Sequence, residues 1–179
     1  MPSVLHVGCG GDRAPEWLSD FDEVRLDIDP KHEPDVIASM VDMGDIGGFA
    51  RLYCAHALEH LTPSDGHRAL CEFVRVLEPG GLAVVIVPDL EDVRPTDDVV
   101  YVAAAGPITG RDMYYGLARL LDENPHMAHR NGFVKATLER AMREAGFSAC
   151  EVMRDDAFQL VAVAWKSIGD VAPNPPALD

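Results

Sequence analysis

The sequence predicts an α/β domain built on a doubly wound, mostly parallel sheet, and three observations carry that reading. Residues Val4 to Asp12 run Val-Leu-His-Val-Gly-Cys-Gly-Gly-Asp, an apolar strand feeding a glycine-rich turn. A second apolar stretch, Val24-Arg25-Leu26, ends in Asp27, nineteen positions after Gly8 (27 − 8 = 19). Leu82–Val87 is an unbroken aliphatic run, the pattern of a central strand buried on both faces. Glycines at the carboxyl end of a first strand let the backbone approach a ligand closely. A carboxylate at the tip of the neighbouring strand can accept hydrogen bonds from two ribose hydroxyls.

The elements follow in order. Strand one is Val4–Val7. Gly11 to Glu23 leaves room for about two helical turns, near the minimum for a parallel crossover, with Pro15 at a first helical position. Trp17, Leu18 and Phe21 are expected to face the sheet. Asp35–Ala38 reads as strand three and Arg51–Ala55 as strand four. Thr62-Pro63-Ser64-Asp65 is a helix start, with a capping oxygen, a proline in the first turn and an acid near the positive end of the dipole. Leu70, Phe73, Val74 and Leu77 then give one buried stripe, and Pro79-Gly80-Gly81 stops the helix before Leu82–Val87. Leu138, Ala141, Met142 and Ala145 mark a second helix that ends at Gly146. Phe147–Met153 and Phe158–Trp165 read as a strand pair. Residues 1–168 form one predicted domain, and the proline-containing stretch 169–179 an unstructured tail.

The glycines also narrow the ligand. A dinucleotide-binding turn places a third small residue where Arg13 stands, and a P-loop needs Gly-Lys-Ser/Thr where the chain has Asp12-Arg13-Ala14. A nucleoside with no phosphate to cradle fits better than NAD. The chain has 15 Lys and Arg against 30 Asp and Glu, a net charge of −15. Nucleic acid is held chiefly by Lys and Arg, so it is not an expected partner, and an acidic surface disfavours anionic membranes. The four cysteines, Cys9, Cys54, Cys71 and Cys150, are scattered without a Cys-x-x-Cys, as suits a reducing, cytoplasmic setting. Strand one begins almost at the amino terminus, so no signal peptide is expected, and no apolar run is long enough to span a bilayer.

In combination, the stretch from Val4 to Val87 resembles the class I S-adenosylmethionine-dependent methyltransferases of the small-molecule, methyltransferase type 11-like branch. The resemblance rests on the glycine turn, Asp27, Tyr53-Cys-Ala-His-Ala-Leu-Glu-His-Leu61 and Arg75-Val-Leu-Glu-Pro-Gly-Gly81 before the aliphatic strand. Val87-Pro-Asp-Leu-Glu91 and Met127-Ala-His-Arg-Asn-Gly-Phe133 look like a subgroup known as predicted methyltransferases. His6 is a departure, since many relatives carry there an acidic residue that orients the glycine turn. The resemblance implies a Rossmann-like, seven-stranded sheet with an antiparallel carboxyl-terminal hairpin strand. It implies S-adenosylmethionine as cofactor and a small-molecule or saccharide-type acceptor. By the same resemblance, Gly8, Cys9 and Gly10 line the methionine portion of the donor, Asp27 the ribose and Ile28 one adenine face. Asp42 and Met43 would hold the adenine edge, with Ser39 an alternative to Asp42.

His56, Asp89 and His129 are the candidates for catalytic contact. His56 follows strand four, where the family places residues beside the reactive methyl, and could serve as pocket contact or general base. Asp89 sits just past strand five, where it could orient or deprotonate an acceptor hydroxyl or amine. Methyl transfer itself needs alignment and desolvation more than a catalytic side chain. Residues 89–131 form a long, less regular insertion, expected to wall the substrate, to cover a sheet edge or to form the seam of a homodimer. His56-Ala-Leu-Glu-His60 also spells His-x-x-Glu-His, an inverted zinc-protease signature, with His67 or Glu72 as a guessed third ligand. Pro63 follows too closely for a long ligand helix, so no metal is expected. A donor-binding protein without methyltransferase activity is the alternative of a different class.

Overall fold

Val4, Leu5 and Val7 are fully buried, and the strand they form, β1 (Ser3–Val7), lies at the middle of the sheet. The computed structural model describes residues 1–103, 106–122 and 124–169, so the tail expected beyond Gly169 lies outside the described residues. After β1 come β2 (Asp22–Asp27), β3 (Val36–Ile37) and β4 (Phe49–Ala55), then α1 (Pro63–Val76) and β5 (Leu77–Pro88). The segment after β5 carries β6 (Val99–Ala103), β7 (Gly106–Thr109), α2 (Gly110–Tyr115) and α3 (Ala118–Leu121). The chain then returns through α4 (Lys135–Glu144), β8 (Ala149–Arg154) and β9 (Gln159–Trp165).

Among the described residues, seven strands form the main sheet in the order β3-β2-β1-β4-β5-β9-β8. The first five are parallel, and β9 pairs antiparallel with both β5 and β8. This is the predicted Rossmann-like arrangement. The order reverses between β1 and β4, and ligands of such sheets sit beyond the strand tips at that point.

Right-handed crossovers put the connections on opposite faces as the chain moves first toward β3 and then toward β5. The face under α1 and α4 holds the main core, in which Leu70, Phe73, Leu138 and Met142 pack on Leu5, Leu52, Val85 and Ala162. The opposite face has a thinner cover, because the crossovers after β1 and β2 are single 3-10 turns, Glu16–Leu18 and Pro30–His32. The helical turns expected after the glycine loop are thus not α-helical. Of the residues expected to face the sheet, Leu18 is buried, whereas Trp17 is 58% exposed and meets Tyr53 edge-on at 5.9 Å. Phe21 lies under the guanidinium of Arg51, 5.2 Å from its ring centre.

The start of α1 is as the sequence predicts: Thr62 Oγ1 accepts the Asp65 N–H at 3.2 Å and Pro63 opens the helix. The helix stops at Val76, and Leu77 already pairs with Phe49. The described residues of the 89–131 segment are more ordered than expected. Val93, Ile108 and Met113 make a small core of their own, and the β6–β7 hairpin stacks Tyr101 on Phe158 at 5.6 Å. No helix among the described residues is long and apolar enough to cross a membrane.

Candidate active site

The glycine turn is held from two directions. The Gly8 and Cys9 N–H groups both donate to the Leu26 carbonyl, at 2.8 and 3.2 Å, which ties the tip of β1 to β2. Gly8 adopts φ +65°, and a Cβ there would stand 2.6 Å from the Ala57 Cβ. The turn therefore admits no side chain on the side where it faces the end of β4. Asp27, 9% exposed, accepts the Gly10 N–H at 2.8 Å on one oxygen and the Asp29 N–H at 2.9 Å on the other. A carboxylate has about four acceptor positions, so two remain for a ligand.

β2 alternates in a way that builds this corner. Val24 and Leu26 pack toward the helices, while Glu23, Arg25 and Asp27 share the opposite face, since side chains at i, i+2 and i+4 point the same way. Glu23 accepts from His6 Nδ1 at 2.9 Å, from the Ala14 N–H at 2.7 Å and from Arg13 at 3.1 Å. Burial pushes its carboxyl pKa up, but these hydrogen bonds outweigh burial and hold it below the ordinary 4.5. The acid that orients the loop thus comes from β2, which explains how the chain tolerates His6 on β1. Arg25 is buried and donates to four carbonyls: Gly10 at 2.6 Å, Asp12 at 3.3 Å, His32 at 3.2 Å and Glu33 at 3.1 Å. It clamps the loops after β1 and β2 together. Sequence reading assigned Arg25 no role, although a lone cation inside an otherwise apolar triplet was a usable signal.

These elements open into one cleft of about 920 Å³. Gly8, Cys9, Gly10, Asp27 and Ile28 line one end, and Ala38, Ser39 and Met40 continue that wall. Asp42 and Met43 do not line it. Asp42 caps its own turn by accepting the Gly44 N–H, and Met43 is buried in the core with its N–H held by Glu72 at 2.9 Å. Glu72 on α1 sets that placement by pulling the Met43 backbone toward the helix. Ser39, the alternative to Asp42, does line the cleft.

The other end of the cleft is lined by His56, Ala57, His60 and Leu61, with Asn124, His126, Met127 and Arg130 from the far end of the 89–131 segment. His56 has φ +51° and is 47% exposed. Its Nε2 donates to Gln159 Oε1 at 2.8 Å, and its Nδ1 stands 3.5 Å from Glu59 Oε1. Burial is the largest influence and disfavours the imidazolium, but Glu59, Gln159 and Asp155 outweigh it and raise the pKa above the usual histidine value. A histidine that keeps its proton is a poorer general base and a better positive group.

Asp89 is 3% exposed and does not line the cleft. It is ion-paired with Arg154 and accepts the Glu91 N–H at 3.1 Å, so it is not free to take a proton from an acceptor. Its place beside β5 was legible in the sequence, but the pairing arginine on β8 was not. His129 also stands off the cleft wall. Its Nδ1–H donates to the Met113 carbonyl at 2.8 Å, and burial lowers its pKa. Glu59 is 2% exposed, and its Oε2 has no hydrogen-bond partner among the described residues.

The His-x-x-Glu-His signature does not form a ligand helix. His56 lies just past β4, and only Leu58–His60 makes one 3-10 turn, so His56 and His60 share no helical face. Among the described residues, the group whose donor atoms converge is Glu59, His60 and His129, all within 4.8 Å of one another.

A strand-tip cleft at the switch point of a Rossmann-like sheet, with an acid beside a glycine turn, is where open α/β sheets place their ligands. The family described as "Methyltransferase domain" matches residues 5–85 of the chain.

Solved structures share the fold. An S-adenosylmethionine-dependent methyltransferase from Mesorhizobium loti is 17% identical with a TM-score of 0.63, covering 92% of this chain and 90% of its own. The Burkholderia thailandensis 1,6-didemethyltoxoflavin-N1-methyltransferase, solved with 1,6-didemethyltoxoflavin and S-adenosylhomocysteine, is 15% identical with a TM-score of 0.60, covering 93% and 72%. A Bordetella parapertussis protein is 18% identical with a TM-score of 0.59; 93% of this chain is covered, but only 62% of that one. A search of curated proteins finds no significant match.

Proposed function

We propose that this chain transfers a methyl group from S-adenosylmethionine to a small-molecule acceptor, and that the accepting group is a saccharide-type hydroxyl. The observation that carries the reading is the continuity of one cleft from the Asp27 corner to the His56–Arg130 end. The residues present suit the donor. Gly10 has open space where a side chain would stand, Asp27 keeps acceptor positions for the ribose, and Ile28 offers an exposed apolar face for adenine. Gly8 and Cys9 would line the methionine portion, with Ser39 and Met40 at the adenine edge.

The bound donor supplies a sulfonium methyl already activated for displacement: the acceptor lone pair bonds to the methyl carbon as the carbon–sulfur bond breaks, and the acceptor's proton is released. The protein's part is to align and to exclude water. His56, with its ring nitrogens turned to Gln159 and Glu59, lines the acceptor end as a fixed wall rather than as a base. The segment 124–130 is the wall that covers the acceptor, and Arg130, exposed there and engaged by its backbone to Glu59, contributes a cation.

Calorimetry with S-adenosylmethionine and S-adenosylhomocysteine tests the corner. Turnover over an acceptor panel, scored as S-adenosylhomocysteine release, tests the transfer. Binding of both ligands with no turnover on any acceptor would leave a donor-binding protein, and failure to bind either would remove both readings. Competition with NAD ranks the nucleoside ligands directly.

A further inference from the structure

We infer that Glu59, His60 and His129 form a binding site for one divalent transition-metal ion, opening onto the acceptor end of the cleft. Three observations converge on it. One donor atom from each residue lies within 4.8 Å of one from each of the others. Each histidine ring is locked in one tautomer: Nδ1 of His60 faces the Ala128 carbonyl at 3.3 Å, and Nδ1 of His129 the Met113 carbonyl at 2.8 Å. A carbonyl only accepts, so Nδ1 carries the hydrogen and Nε2 keeps its lone pair, the arrangement by which backbone carbonyls orient metal-binding imidazoles. Finally, Glu59 Oε2 is buried without a hydrogen-bond partner, a costly state for a carboxylate oxygen unless a cation faces it.

The backbone prepares this geometry. The Arg130 and Asn131 N–H groups both donate to the Glu59 carbonyl, at 2.9 and 3.1 Å, which fixes the His129 segment beside Glu59. The two rings meet edge-on with centres 5.0 Å apart. Two imidazoles and a carboxylate suit zinc and its first-row neighbours, whereas magnesium and calcium take oxygen ligands. Three protein ligands leave a coordination position open, and His60 lines the cleft, so that position faces the acceptor. Ion binding stands apart from the methyl-transfer reading; only its use, to hold an acceptor oxygen and ease loss of its proton, rests on that reading.

The test uses the full chain freed of metal by a chelator and titrated with zinc chloride in the absence of any methyl donor, with cobalt(II) as a spectroscopic substitute. One zinc per chain is expected, with a rise in the unfolding temperature and visible cobalt absorption typical of low coordination number. Glu59→Gln and His129→Ala should each weaken zinc binding at least tenfold, while His67→Ala, outside the group, leaves it unchanged. Circular dichroism of the metal-free variants checks their fold. Should a variant not fold, the imidazole resonances of the unaltered protein decide, since those of His60 and His129 must move when zinc is added. Absence of stoichiometric binding, unmoved resonances, persistence of binding in folded Glu59→Gln and His129→Ala, or an equal loss in His67→Ala would each overturn the site. Because no donor is present, these outcomes do not depend on whether the chain transfers methyl groups.

Discussion

Asp27 illustrates how much one side chain can carry. Its two oxygens already hold the Gly10 and Asp29 N–H groups, so it shapes the corner before any ligand arrives. Asp27→Ala should weaken S-adenosylmethionine binding by about 1–3 kcal/mol in calorimetry on folded protein, the scale of lost charge-assisted hydrogen bonds. Unchanged affinity would place the ribose elsewhere. Gly8 makes a different kind of demand, because its positive φ and its approach to Ala57 are separate constraints. Gly8→Ala should lower stability by about 1–3 kcal/mol from backbone strain, and more from the clash. Adding Ala57→Gly should restore the share due to the clash but not the share due to φ, measured by urea unfolding. Glu23 gives a pH signature. Its pKa is depressed in the folded chain, so its contribution is fully present above the ordinary 4.5 and is lost as the pH falls through the lowered value. The stability gap between the wild-type chain and Glu23→Gln should hold steady from neutral pH down to about 4.5 and close below it.

At the scale of elements, strands and helices with a strong period were legible, because a buried stripe or an aliphatic run is a local signal. α1 was placed from Thr62 onward by its cap and by Leu70, Phe73 and Val74. Thr62→Ala should cost about 0.5–2 kcal/mol, the usual worth of such a cap, with donor affinity unchanged. Parallel loss of affinity would mean that α1 sets the cleft more directly than its packing indicates. The crossover after β1 was misjudged because Pro15 and spaced apolar residues suit a 3-10 turn as well as a helix. Trp17 was assigned inward on that helical spacing, and a 3-10 turn rotates it out. The segment 89–131 hid its order for another reason: its small core joins residues 15 to 20 positions apart, Val93 with Ile108 and Met113, which no short-range pattern reveals.

The strand-tip wall of the cleft was readable at the scale of the whole molecule, because Gly8, Cys9, Gly10, Asp27 and Ile28 follow the strand-tip rule of open sheets and line it. The partners of Asp89 and Glu59 were not. Asp89 finds Arg154, and Glu59 finds His129, through contacts between distant parts of the chain. A net charge of −15 on 179 residues also acts on the molecule as a whole. Raising the ionic strength from about 0.01 M to about 0.15 M shortens the screening length from about 30 to about 8 Å and should relieve self-repulsion. The unfolding temperature should therefore rise by a few degrees with sodium chloride, as read by calorimetry; a fall would mean that paired charges such as Arg154 with Asp89 outweigh the net repulsion.

The alternation along β2 ties manufacture to grip. Were that strand to pair one position out of step, an acid, a base and a second acid would all turn into the greasy layer beneath α1. Such a chain could scarcely stay folded, so the pairing step inspects its own work. Molecules that pass already carry the finished Asp27 corner.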